Sequence, residues 1–309
     1  MGRYILKRIW YMIITFYVVI TLTFLSMKLL PGTPFQNANR LTPLQLNTLK
    51  HYYGLDQPIA VQYVKYLWNF IHGDLGTSFQ FGNTPVIQML VAQFPVSMDL
   101  GTEAMIIGTV LGILLGIFAG LYRGSFRDWG TMIFATLGIS IPSFVFAGAL
   151  QYCLGVLVQL FPVAGWGTPS THVLPVTSLA VGILAEVAIF MRTEMVEVIN
   201  QDYIVTAQAK GLSRGAVVFK HAVRNAMIPV VTILGPMTAA IITGSIVIEG
   251  IFGIPGIGKQ FVSSITTNDY PMIMGTTELY SGLFIITILI VDILYGVIDP
   301  RIRVSGGRS

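Results

Sequence analysis

The run Gly253-Ile-Pro-Gly-Ile-Gly258-Lys259-Gln260 has the glycine and lysine spacing of a phosphate-binding loop, G-x-x-x-x-G-K-[ST]. In such a loop backbone amides cradle phosphates, the lysine reaches the outer ones, and a hydroxyl holds magnesium. Here Gln260 stands where the hydroxyl belongs, and a long apolar run precedes the segment instead of a short buried strand. We read it as a tight turn or short re-entrant piece at a membrane face. His51, His72, His172 and His221 are dispersed, and no serine–histidine–aspartate set or carboxylate pair shows in the spacing. Cys153 is the single cysteine, which excludes an intrachain disulfide and a thiolate zinc site. We therefore expect no catalytic residue, no metal site and no cofactor bound by this chain.

Four acids fall inside apolar runs: Glu103, Glu186, Glu278 and Asp292. An ionisable group in hydrocarbon is costly, which makes each a candidate for lining a pathway. Snorkelling or polar packing is the competing reading, since Glu186 and Asp292 lie toward one end of their runs and Glu103 and Glu278 near the other. Gly108, Gly112, Gly116 and Gly120 recur every four residues, a stripe that lets another helix pack closely. A basic stretch, QAKGLSRGAVVFKHAVRNAMIP, covers 208–229 and carries Lys210, Arg214, Lys220, His221 and Arg224. Ala207 with Gly211, Lys210 with Arg214, and Lys220 with Arg224 are each four apart, the spacing of one helical face.

The elements that must hold these residues follow from composition. The 309 residues are 54% hydrophobic and 10% charged, with mean hydropathy +0.73, too little charge for a soluble surface. The pI near 9.1 does not mark a nucleic-acid patch, because the basic residues are scattered between apolar runs. Six spans are expected, at about 9–30, 100–122, 131–161, 173–191, 229–251 and 274–298, each long enough for ~30 Å of hydrocarbon. The first is read as an uncleaved helix, since a signal peptide has a shorter apolar core and small residues at its cleavage site. The third is longer than a perpendicular crossing needs, and Pro142 is placed to kink it. Pro175 and Pro236 also fall inside spans. Thirteen of the eighteen lysines and arginines flank the spans on one side, which the positive-inside bias makes cytoplasmic, together with both termini.

Two loops stand out. Residues 31–97 form an extracytoplasmic loop with short helices, one opened by Thr42-Pro43 and ended near Gly54, the next opened by Pro58 and ended near Gly73. Tyr52, Tyr53, Tyr63, Tyr66, Trp68 and Phe70 suit a membrane interface or a partner-docking surface. The long inner loop, 192–228, is too polar to insert, and Asn200, Gln201 and Asp202 are placed to cap a helix beginning near Tyr203.

Several pieces occur in a fixed order: Leu30-Pro31-Gly32-Thr33-Pro34; Tyr53-Gly54-Leu55-Asp56-Gln57-Pro58; Gly73-Asp74-Leu75-Gly76-Thr77-Ser78; Thr206-Ala207-Gln208-Ala209-Lys210-Gly211-Leu212; His221-Ala222-Val223-Arg224-Asn225-Ala226; Glu249-Gly250-Ile251-Phe252; Asn268-Asp269-Tyr270-Pro271; and Asp299-Pro300-Arg301-Ile302-Arg303. With these the whole chain resembles the first, B-type permease subunits of oligopeptide and dipeptide ABC importers. The resemblance implies an all-α integral membrane protein of six transmembrane helices with the type I ABC importer permease fold. Its parts would be an N-terminal flank and first helix (1–30), the outer loop (31–97), a five-helix permease core (98–300) containing the 192–228 loop, and a cytoplasmic tail (301–309). It also implies a prokaryotic plasma membrane, a homologous second permease, two ATPase subunits that carry ATP and magnesium, and an extracytoplasmic solute-binding lipoprotein. Thr206, Ala207, Lys210, Gly211 and Arg214 then fall in the ATPase-coupling loop. Val205-Thr206-Ala207 replaces the Glu-Ala-Ala of other importers, and the distance from Gly211 to Pro229 exceeds that of sugar importers. Short peptides are the implied cargo, while relatives are expected to carry nickel complexes or glutathione-like compounds, and no residue selects among these. The rival is an ion-coupled secondary transporter or channel acting without ATPase subunits, which calls for mid-membrane charges and an internal repeat; neither is clear in the sequence.

Overall fold

A computed structural model describes residues 2–35, 41–242 and 245–298. The tail 301–309 lies outside the described residues. Thirteen α-helices order the described chain: α1 (Gly2–Lys28), α2 (Pro43–Tyr52), α3 (Ile59–Ile71), α4 (Val86–Leu121), α5 (Phe126–Ser140), α6 (Ser143–Leu150), α7 (Pro169–Ile199), α8 (Asp202–Ala209), α9 (Arg214–Ala216), α10 (Val223–Ile242), α11 (Ile246–Ile251), α12 (Ile257–Thr266) and α13 (Tyr270–Ile298). Two π-helical segments, Gln151–Leu157 and Val217–Ala222, extend α6 and join α9 to α10. Extended pairing among the described residues is limited to one isolated bridge, Thr77 with Pro85.

Five helical stretches are long and apolar enough to cross a membrane: 6–28, 86–121, 169–199, 214–238 and 270–291. The run expected at 131–161 is a broken pair instead. The helix stops at Ile141 and restarts after Pro142, and its halves meet at 100°. Proline lacks the amide that would continue the ladder and pushes its predecessor out of helical geometry. Pro95, Pro175, Pro229 and Pro236, by contrast, sit inside unbroken helices. The second and fourth spans begin or end well beyond their expected limits, because α4 starts at Val86 and α7 continues to Ile199.

The described residues form two compact units, those within 1–96 and 255–285, and those within 97–254 and from 286 to 298. Residues 255–285 thus group with the N-terminal unit. In the first unit Ile20, Phe24 and Met27 of α1 bury against Met274 of α13, and Tyr63, Tyr66 and Phe70 of α3 pack onto that cluster. These aromatics are structural; Tyr52 and Trp68 are the exposed members of the group. Thr42 and Gln45 close a reciprocal capping box on α2, as the Thr-Pro start requires. Asp269 is fully buried and is reached by the Ser78 hydroxyl and, at 3.1 Å, the Phe79 amide. Burial nonetheless pushes its carboxyl above the ordinary carboxylate value.

In the second unit α7 is the central helix, packed by α5, α6, α10 and α11, with thirteen of its residues buried. The glycine stripe of α4 lies directly against it. A Cβ added at Gly116 would stand 2.6 Å from the Met191 Cβ and 2.7 Å from the Ala188 carbonyl, and one at Gly112 2.8 Å from the Leu184 carbonyl. The partner of the stripe is therefore this chain's own α7, and the two backbones stay close for a little over three turns.

Candidate functional site

The segment expected to form the inner loop is narrower than 192–228. No glycine or proline stops α7 between Arg192 and Ile199, so the helix carries Arg192 to its end, and the Ser213 hydroxyl caps a new helical run from Arg214 that continues through Arg224 and Ile228. What protrudes is α8 and two turns, residues 200–213. Within it Ile204 and Ala207 are buried against the π-helical segment at 217–222, whereas Thr206, Lys210, Gly211 and Arg214 are exposed. Ala207, 5% exposed, packs inward. Its shared face with Gly211 does not exist, because α8 ends at Ala209 and Gly211 lies past the cap at φ +77°, where a Cβ is strained. Lys210 is the cap residue that follows α8 whereas Arg214 begins α9, and the wider π turn takes Lys220 and Arg224 off four-residue register.

Four large apolar side chains surround this turn and are open to solvent: Tyr203, Val205, Leu212 and Phe219, the last 70% exposed. Sequence reasoning passed over them because it looked for charge and small residues. Beside the turn, Arg192 makes a two-pronged bond to Asp128, Nε donating to Oδ1 at 3.0 Å and Nη2 to Oδ2 at 2.8 Å. The Gly124 amide adds a third bond to Oδ2, so the carboxylate that begins α5 is fixed to the end of α7.

The candidate pathway acids do not assemble. Glu103 of α4 bonds His172 of α7, 3.0 Å from Nδ1 to Oε1, and that imidazole stacks on Trp166. Glu186 is exposed and fourteen residues further along α7, about 21 Å up the axis. Glu278 of the first unit is 4% exposed, and neither carboxyl oxygen has a hydrogen-bond partner among the described residues. The side chain of Asp292 lies outside the described residues. The structure adds a buried acid that the spacing did not single out: Glu249 accepts a 2.8 Å bond from the Ser97 hydroxyl. It also gathers Asp99, Glu103 and His172, whose donor atoms lie within 4.8 Å of one another, the geometry of a small cation site with one exposed carboxylate. The 253–260 run is a turn from the end of α11 into α12, with no strand before it to build a phosphate loop.

Comparison with known proteins places this architecture. The model of binding-protein-dependent transport system inner membrane components matches residues 112–304, and the model of the N-terminal part of such components matches 1–101. The chain belongs to this family. The dipeptide transport system permease proteins DppB of Bacillus subtilis and of Lactococcus lactis subsp. cremoris are 48% and 47% identical over 303 residues, covering 98% of this chain and 98% and 100% of theirs. The oligopeptide transport system permease protein OppB of Haemophilus influenzae is 40% identical over 305 residues, 98% of this chain and all of that one. Among solved structures, an amino acid ABC transporter with histidines matches at TM-score 0.55 and 14% identity over 67% of this chain and 93% of that chain. The inward-facing methionine transporter MetNI matches at 0.54 and 15% over 69% and 97%. These two likenesses establish a shared fold.

Proposed function

We propose that the chain is a permease subunit of an ABC importer for short peptides in a prokaryotic plasma membrane. The observation that carries this is the match, over 98% of the chain, to proteins named as dipeptide and oligopeptide permeases. With a homologous second permease it encloses the translocation path, since a single set of five or six helices is too small to surround a peptide. Cargo arrives on an extracytoplasmic binding protein, and ATP is hydrolysed on two separate subunits. Both termini lie in the cytoplasm with the 200–213 turn, in keeping with the distribution of lysine and arginine. In this reading Thr206, Lys210, Gly211 and Arg214, ringed by Tyr203, Val205, Leu212 and Phe219, enter a groove on the ATPase, while Ala207 anchors α8 from within. An apolar centre with a charged rim is what a partner groove buries well.

The test is purification of the tagged chain from its membrane in mild detergent, with Gly211→Arg and Phe219→Asp beside wild type. Wild type brings down a second permease and ATPase subunits, and both variants lose most of the ATPases while retaining the permease. A chain that purifies alone, yet still conducts, overturns the reading in favour of an autonomous channel.

A further inference from the structure

Within the first unit, α3 is apolar on two sides. Tyr63, Tyr66, Leu67 and Phe70 pack on the cluster that α1 and α13 form. Val61, Val64, Trp68 and Ile71, spaced three, four and three apart, make a second stripe that is 42, 64, 65 and 76% exposed. Only the edge carrying Gln62, Lys65 and Asn69 is polar, and it lines a cavity together with α2 and the 74–79 segment. A helix lying on a wet surface needs one apolar stripe, so the second asks for an apolar surrounding.

The neighbours of α3 measure how deep it goes. At its start Gln62 Oε1 accepts from Lys28 Nζ at 2.5 Å, and that ammonium stands 5.5 Å from the centre of the Tyr270 ring. One residue on, the Tyr63 hydroxyl meets that of Thr21 at 2.6 Å. At its end the Phe70 ring lies 5.8 Å from the Phe16 ring, and a Cβ added at Gly282 would stand 3.8 Å from Phe16 Cε2. Lys28 to Phe16 on α1 and Tyr270 to Gly282 on α13 are each twelve residues, so both helices give the same descent of about 18 Å. α1 carries no charge between Arg8 and Lys28, about 30 Å of helix, which is the thickness of the hydrocarbon core. The Phe70 end of α3 is therefore level with the middle of that thickness. From there the chain climbs back: a Cβ at Gly275 would stand 3.4 Å from Leu75 Cδ1, and one at Gly76 3.6 Å from the Pro271 Cβ. The deep end also satisfies its own carbonyls, as hydrocarbon demands. His72 Nδ1 donates to the Trp68 carbonyl at 2.7 Å, the His72 and Asp74 amides to Asn69 at 3.0 and 2.9 Å, and the Gly73 amide to Phe70 at 2.9 Å.

We propose that α3 is a half-span: it enters the leaflet at the Lys28 end of α1, turns back at mid-membrane, and sets Val61, Val64, Trp68 and Ile71 among lipid acyl chains. Thirteen residues, about 20 Å of helix, are too few to cross and enough to reach the middle. Acyl chains are the occupant because the stripe holds no charge and shares its depth with Val18, Leu22 and Leu25, the exposed apolar side chains of α1. Lys65, one turn past Gln62, is long enough to carry its ammonium back to the polar edge. The inference rests on the reading of the chain as a membrane permease.

The test is spin labelling of the full chain, with its co-purifying subunits, in phosphatidylcholine vesicles. In a Cys153→Ser background, labels are placed at Val61→Cys, Val64→Cys and Ile71→Cys, and at Leu22→Cys of α1 as a reference; all four side chains are exposed, so packing is spared. The signal of the complex without an added cysteine is subtracted. Collisions are measured with oxygen, which concentrates in hydrocarbon, and with a water-soluble nickel chelate. Oxygen exceeds the chelate severalfold at Val64→Cys and Ile71→Cys, as at Leu22→Cys, and the ratio rises from Val61→Cys to Ile71→Cys. A chelate-dominated Ile71→Cys puts α3 on a wet surface and overturns the proposal. Shielding of the stripe from both reagents overturns it as well, since another protein surface then covers it. Leu22→Cys keeps the two readings apart. If it too is wet, α1 is no span and the permease reading fails, whereas lipid at Leu22→Cys beside a wet or shielded Ile71→Cys condemns the half-span alone.

Discussion

Asp128 and Arg192 show why a single pair matters in so apolar a chain. Asp128 is 3% exposed, and its two oxygens receive three donors, two from one guanidinium. Removing one partner strands the other's charge away from water, which costs more than the pair contributes when both are present. Arg192→Ala is expected to lower stability by about 3 kcal/mol, and Asp128→Asn with Arg192→Gln to recover most of it. Thermal unfolding of the detergent-solubilised chain measures both; equal losses in single and double variants refute the pair. Neither residue announced this role in the sequence. They lie 64 positions apart, Arg192 was counted among topogenic charges, and Asp128 drew no notice because it sits at a helix start, where acids are ordinary.

At the scale of elements, the α4–α7 seam depends on missing side chains. Gly116→Ala puts a methyl into space already filled by Met191 and the Ala188 carbonyl, so the helices must part. We expect a loss of about 1–3 kcal/mol from overpacking. Gly182→Ala, on α7 itself with nothing within 4 Å of the new carbon, is expected to gain about 0.5–1 kcal/mol from helix propensity. Unfolding of the two variants side by side decides it, and a harmless Gly116→Ala refutes the close seam. The stripe was legible because its four-residue spacing is a local pattern, though its partner was not. The break at Pro142 was only half legible: the proline marks the place, but whether a helix bends or snaps depends on what packs around it.

For the molecule as a whole, the topology proposed from the scatter of lysine and arginine is open to a labelling test. With Cys153→Ser as background, a membrane-impermeant maleimide should modify Thr48→Cys in intact cells and Gln208→Cys only after permeabilisation; both positions are exposed. The opposite pattern inverts the topology. Apolar runs gave most of the spans, since hydrophobic length is written locally. The division into two units was not readable, because residues 255–285 return to the N-terminal unit across a long stretch of sequence. The seam has a mechanical meaning as well. The stripe sets the α4 backbone against α7 carbonyls and the Cβ atoms of Ile183, Val187 and Met191, so the tightly packed pair acts as one beam, and α7 alone is about 46 Å long. A push on the turn after Ile199 would then arrive nearly undamped at the far end of the beam, where Glu103 and His172 are joined. If an ATPase subunit docks at that turn as proposed, the lever it pulls is stiff in the chain by itself.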